Sequence, residues 1–292
     1  MSRIDQALKR AGAPEPAAAT AVRTNNFISP WPTSPTVADE SPAVPPSPDL
    51  VNPSRVEPAA VVSFSPAWRE RLATSPGADP VFVEQFRRLA AILHSAQAAS
   101  GIRVLMVTSA TPEDGKTLTS LNLALVLSES YRRRVLLIDA DLRRPSLGKA
   151  AELASAPGLS DALKAPVDRK LAVVPVTSML TLLPAGRPTP DPMSALTSPR
   201  MRQILQEAAT HFDWVILDAP PMGPLADASL LAEMADAAIF VIRAGKTQHA
   251  AVKKAIDALG SERLLGVVLN GVDRLPAEAE AAYTSEPFSS DG

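Results

Sequence analysis

Apolar residues recur in this chain with two different periods, and one long stretch shows neither. Over VFVEQFRRLAAILHSAQ, Val83, Phe86, Leu89, Ile92 and Leu93 fall three or four apart, which predicts an amphipathic helix from residue 81. Short, nearly continuous apolar runs follow at Ile102–Thr108, Val135–Asp139, Lys170–Val174, Trp214–Asp218, Ala237–Ile242 and Leu265–Asn270. These read as strands buried on both faces. Helical periodicity returns between them at Thr117–Glu129, Ser198–Ala209, Leu225–Met234 and Gln248–Leu259. Strands alternating with helices predict an α/β fold: a mostly parallel sheet with helices on both faces. Ligands of such sheets bind beyond the carboxyl ends of the strands.

The aperiodic stretch comes first. Between Ala13 and Pro80 lie 14 of the 29 prolines. Proline fixes φ and removes a backbone donor, so this composition predicts a disordered or polyproline-like arm over residues 13–80. Ahead of it, residues 1–12 contain a short helical candidate with Ile4 and Leu8 one turn apart. The expected organisation is therefore that helix, the proline-rich linker, a catalytic domain over 81–274 and a flexible tail over 275–292.

Composition narrows the chemistry. With 29 basic against 31 acidic residues the net charge is -2, which argues against nucleic-acid binding. No cysteine is present, so iron–sulfur clusters and disulfides are excluded. Three scattered histidines do not make a metal site. No run approaches the ~20 apolar residues that span a bilayer, so the expected compartment is the cytoplasm, with membrane contact only through a partner.

Three motifs sit at predicted strand ends. Residues 110–117 read A-x-x-x-x-G-K-T, a phosphate-binding loop with Ala110 in place of the first glycine. A strand–loop–helix junction gathers backbone N–H groups at one point, and the helix N-terminus adds positive potential there. Asp114, Gly115, Lys116, Thr117 and Leu118 are the expected nucleotide contacts, with Lys116 reaching the phosphates and the Thr117 hydroxyl on Mg²⁺. The second motif, VLLIDADLRRP, delivers Asp139 and Asp141 at a strand end, a spacing that suits two carboxylates near one divalent cation. The third, WVILDAPP, ends a buried strand at Asp218, where P-loop ATPases carry a metal-orienting carboxylate. Together they predict a P-loop NTPase-type fold.

The trio resembles the Walker A, Walker A′ and Walker B set of bacterial tyrosine kinases of exopolysaccharide systems. GLSDAL, LLPAGRPTPDPMSAL, FVIRAGKT and VVLNGVD extend the resemblance over about 190 residues, and MSRIDQAL resembles the start of the stand-alone members. The resemblance implies ATP and Mg²⁺ as cofactors, tyrosine autophosphorylation in a homo-oligomer, and a membrane partner of the polysaccharide co-polymerase type. It assigns Asp139 as the base for the tyrosine hydroxyl, Asp141 and Asp218 to Mg²⁺, Arg143 to the end of the second motif, and Asn270 to the adenine. Two departures stand out. The family's E-x-x-R-x-x-R helix is represented by Glu84 and Arg87, with Ala90 at the last position and Arg88 out of register. The usual terminal tyrosine cluster is reduced to Tyr283, the phosphoacceptor candidate; the only other tyrosine is Tyr131. A nucleotide-binding regulatory module without tyrosine transfer is the alternative reading. A partitioning or division-site ATPase is disfavoured, because Thr111 occupies the position of that class's signature lysine.

Overall fold

The computed structural model describes residues 62–166, 171–223 and 225–272. In chain order its elements are α1 (Pro66–Arg69), α2 (Pro80–Ser100), β1 (Val104–Ser109), α3 (Lys116–Glu129), β2 (Val135–Asp139), α4 (Leu147–Ala150), α5 (Leu159–Lys164), β3 (Val174–Pro175), β4 (Leu180–Leu183), α6 (Pro192–Leu196), α7 (Pro199–His211), β5 (Trp214–Asp218), α8 (Asp227–Met234), β6 (Ala237–Arg243), α9 (His249–Leu259) and β7 (Leu264–Asn270). The strands form one sheet in the order β3-β4-β2-β5-β1-β6-β7. All pairings are parallel except β3 with β4.

Alternation within each strand divides the core between two faces. Met106, Leu136, Ile138, Leu217 and Phe240 face one way, against α7, α8 and α9. Leu105, Val107, Leu137, Ile216 and Val241 face the other way, against α2 and α3. Helix α3 is apolar almost all round, with Thr119 through Ser128 buried, because it is enclosed between the sheet, α2 and the segment before α2.

That preceding segment corrects the expected linker boundary. Residues 62–79 are part of the packed domain: Phe64, Leu72 and Ala73 are buried. Asn122, fully buried on α3, holds the segment through both ends of its amide. Its Oδ1 accepts from Ala73 N at 2.6 Å, and its Nδ2 donates to Arg71 O at 3.1 Å and Leu118 O at 3.0 Å. Ser65 N donates to Ala150 O at 3.0 Å, tying the same segment to α4. Proline content marked the whole stretch as unstructured, whereas three apolar side chains and one buried amide suffice to anchor its last quarter. Residues 1–61 and the tail from 273 on, where the N-terminal helix and most of the linker are expected and where Tyr283 falls, lie outside the described residues.

The strand expectations hold for β1, β2, β5, β6 and β7 within two residues at each end. The expected Lys170–Val174 strand does not: its described part contributes only Val174 to the two-residue β3, antiparallel to β4. The fully buried parallel strand beside β2 is β4, Leu180–Leu183.

Candidate nucleotide site

Sheet order and register assemble the site. The phosphate loop follows β1, which lies beside β5, which in turn lies beside β2. Asp139 and Asp218 are register partners at the ends of β2 and β5, and Asp218 is also level with Val107 of β1. Register partners on parallel strands share a face, so both carboxylates stand on the α3 side, below Lys116 and Thr117.

The loop's path is fixed from outside. Gly115 has φ 101°, and a Cβ there would collide with the Asn270 amide, so only glycine fits. Glu113, also left-handed at φ 65°, has its carbonyl held by Arg243 Nη1 at 3.0 Å. The buried Asp114 carboxylate is occupied within the protein: it accepts from Thr111 N (2.9 Å), Thr111 Oγ1 (2.8 Å) and Thr247 Oγ1 (2.8 Å). Asn270 Nδ2 donates to Asp114 O at 2.8 Å. Asp114 and Asn270, expected as nucleotide contacts, thus serve as loop supports through these atoms. Arg243 and Thr247 were quoted in the sequence as part of FVIRAGKT without a role; nothing in their spacing marks them as partners of a loop 130 residues away.

Beyond Gly115, α3 begins, and the first N–H groups of a helix have no intrahelical acceptor. They converge with the buried Lys116 at the carboxyl end of the sheet. Thr117 Oγ1 lies 2.7 Å from Ser146 Oγ. Asp139, fully buried, accepts from Ser146 N (3.1 Å) and Leu147 N (3.0 Å) at Oδ2, and from Asp141 N (3.3 Å) at Oδ1. Asp141 is half-exposed, and its Oδ1 accepts from Arg144 N at 2.9 Å. Asp218 Oδ1 is buried with no hydrogen-bond partner among the described residues.

Burial pushes both enclosed carboxyls up. Asp139 is held well above the usual carboxylate range by burial and then by the neighbouring Asp218 charge, against the two backbone N–H groups. Asp218 is pushed up to about 7 by burial, with the Thr117 hydroxyl and the Lys116 ammonium pulling it down and Asp141 raising it. Two crowded acids with an orphaned oxygen could hold a cation. No three acidic or histidine side chains among the described residues form a metal cage by themselves. That fits Mg²⁺, which takes one or two carboxylates and fills the rest of its shell with phosphate oxygens and water.

The loop after β2 is tied across the site. Arg143 donates from Nε to Asp227 Oδ2 at 2.5 Å and from Nη2 to Oδ1 at 3.2 Å, a two-pronged pair to the first turn of α8. Asp227, buried, was not anticipated; the signal was an acidic residue nine positions after Asp218, too ordinary to single out. On α2, Glu84 and Arg87 pair within the helix at 3.8 Å, while Ala90 is fully buried against the core. The last position of the E-x-x-R-x-x-R pattern therefore faces inward.

Sheet order, phosphate loop and strand-end carboxylates define a P-loop nucleotide-binding protein. The ParA family model, described as NUBPL iron-transfer P-loop NTPase, matches residues 102–288; with no cysteine in the chain, the iron-transfer part of that description has no thiol to rest on. Tyrosine-protein kinase YwqD of Bacillus subtilis is 36% identical over 203 residues, 68% of this chain and 85% of that one. The succinoglycan biosynthesis transport protein ExoP of Rhizobium meliloti is 32% identical, over 66% of this chain but 25% of its own length. Among solved structures, the kinase domain of Escherichia coli tyrosine kinase ETK superposes with TM-score 0.65 at 28% identity, covering 81% of this chain and 89% of that one. The kinase domain of VpsO gives TM-score 0.57 at 32% identity, covering 65% and 96%. The chain belongs to the bacterial tyrosine kinase family.

Proposed function

We propose that the chain is an ATP-dependent tyrosine autokinase that regulates exopolysaccharide polymerisation or export together with a membrane co-polymerase partner. The observation that carries the catalytic part is the buried, unpartnered Asp218 Oδ1 level with Asp139 and beneath Lys116 and Thr117. The polysaccharide role rests on relatives such as ExoP. No helix among the described residues is long and apolar enough to cross a membrane, so recruitment to the inner face is assigned to the partner.

In this reading the α3 N-terminus and Lys116 hold the β- and γ-phosphates of ATP. Thr117, Asp141 and Asp218 would hold Mg²⁺, which would supply positive charge to offset that of the phosphates. Asp139 accepts the phenolic proton as the tyrosine oxygen bonds to the γ-phosphorus and the bond to ADP breaks. Since Asp139 is enclosed beneath Ser146 and Leu147, that turn has to move to admit a phenol. Asn270 keeps its amide oxygen for the base, and Tyr283 is the acceptor.

The enclosure of Asp139, with a single tyrosine in the tail, is what favours the second reading, a nucleotide-dependent regulatory module without tyrosine transfer. Labelled ATP, given to the full chain with and without its partner and beside a Tyr283→Phe variant, separates the two. Phosphotyrosine that Tyr283→Phe reduces supports the kinase. Absence of phosphotyrosine despite nucleotide binding rejects it.

A further inference from the structure

A groove of about 440 Å³ opens beside the phosphate site, between the loop after β2 and the loop after β4. Ser146, whose hydroxyl meets Thr117, lies at its inner end. Arg143, Arg144 and Lys149 line it, with Leu153 and Pro184 among its apolar walls, and no acidic residue among the described residues lines it. Arg143 is committed to Asp227. Arg144 and Lys149 are exposed, and neither forms an ion pair among the described residues. Two open cations on an apolar trough suit a peptide that combines carboxylates with an aromatic ring.

One segment of this chain has that composition. Residues 275–292 carry Glu278, Glu280, Glu286 and Asp291, no basic residue, and the rings of Tyr283 and Phe288. We propose that this groove is the docking site for the segment 275–292, with Arg144 and Lys149 reading its acidic residues and so placing Tyr283 at the phosphoryl donor. The inference rests on the kinase reading above and adds the surface that selects the acceptor. Chain length permits it. β7, after which the tail follows, is four strand spacings from β2 and five from β4, or about 19–24 Å. The eleven residues that follow Val272, up to Tyr283, extend to about 36 Å.

The test uses full-length Tyr283→Phe protein as enzyme and a synthetic 275–292 peptide as acceptor, compared with the same enzyme carrying Arg144→Gln and Lys149→Gln. Docking predicts a peptide KM about tenfold higher in the groove variant, with kcat within twofold and unchanged MgATP affinity by calorimetry. A peptide with Glu278, Glu280 and Glu286 changed to Gln is expected to lose as much on the parent enzyme and nothing further on the variant. Equal KM values on the two enzymes overturn the docking site. If the parent binds MgATP but phosphorylates no peptide, the kinase reading falls, and the groove is judged by fluorescence anisotropy of labelled peptide on the MgADP-loaded proteins. Weaker binding to the variant sustains it, and equal binding overturns it.

Discussion

Asp218→Asn replaces a buried acid by a neutral amide of the same shape, and its consequence follows from proton linkage. The carboxyl's ordinary value is 3.8, and in the folded protein it is pushed up to about 7. Between those values the folded state binds the proton more tightly than the unfolded chain. Asp218 therefore imposes no penalty below pH 4, a growing one as pH rises toward 7, and a constant one above. The gap corresponds to at most about 4 kcal/mol at pH 8. The amide cannot ionise, so Asp218→Asn protein is expected to match the parent near pH 4 and to exceed it at pH 8. Half the ceiling, about 2 kcal/mol, raises the midpoint of a domain this size by about 4–8 °C. Urea unfolding of ligand-free protein at several pH values reads this directly, and MgATP added at pH 8 is expected to stabilise the parent but not the variant. Parallel pH dependence in the two proteins, or an Asp218→Asn protein less stable at pH 8, refutes the argument that burial costs this carboxylate more than Lys116 and Thr117 return.

Three further substitutions probe the supports. Asn122→Ala strips the hydrogen bonds from Ala73 N and Arg71 O, and is expected to cost about 2–4 kcal/mol in urea unfolding and to expose residues 62–79 to protease. Thr247→Val removes the hydroxyl that links Asp114 to Arg243, so MgATP affinity by calorimetry is expected to fall about tenfold, with Thr247→Ser restoring it. Arg143→Ala leaves the buried Asp227 unpaired; because the arginine is solvent-exposed, only a small drop in the urea midpoint is expected, and a cycle with Asp227→Asn should show the two effects to be shared.

The sequence displayed the parts of this protein whose physics is local. Val135–Asp139 and Trp214–Asp218 were legible to the residue because a parallel strand buried on both faces must be apolar throughout and stops where a charge appears. The phosphate loop was legible because Gly115 and Lys116 are demanded by backbone geometry and phosphate charge within a few residues. What was hidden depends on contacts between distant segments. β4 has only four residues and sits beside the more β-branched Val173–Val176, which drew the expectation to the wrong run. The anchoring of residues 62–79 depends on Asn122, a residue unremarkable in a helix until its amide is seen facing another backbone. The same holds for the site: Lys116, Thr117, Asp139, Asp141 and Asp218 were named from their own motifs, whereas Arg243, Thr247 and Asp227 acquire meaning only through sheet order.

The charge balance of the assembled site leads to one more consequence. Asp139, Asp141 and Asp218 are crowded together, the one buried ammonium among the described residues is that of Lys116 beside Asp218, and in the ligand-free protein the two enclosed acids relieve the imbalance by holding protons more tightly than usual. An ATP molecule without its metal would bring further negative charge into that cluster, whereas Mg²⁺ brings two positive charges to the orphaned Asp218 Oδ1 and favours the ionised carboxyls. Binding should therefore depend on the metal by far more than the metal's own contacts with phosphate: ATP in excess EDTA is expected to bind at least tenfold more weakly than MgATP. Binding of MgATP near pH 7 should also release protons, seen as a heat that changes with the buffer's ionisation enthalpy. The Asp218→Asn protein, with one negative charge fewer, should tolerate metal-free ATP better than the parent does while losing its preference for MgATP. Equal affinities with and without metal in the parent, or no proton release, would mean that the three carboxylates do not act on the nucleotide as a unit.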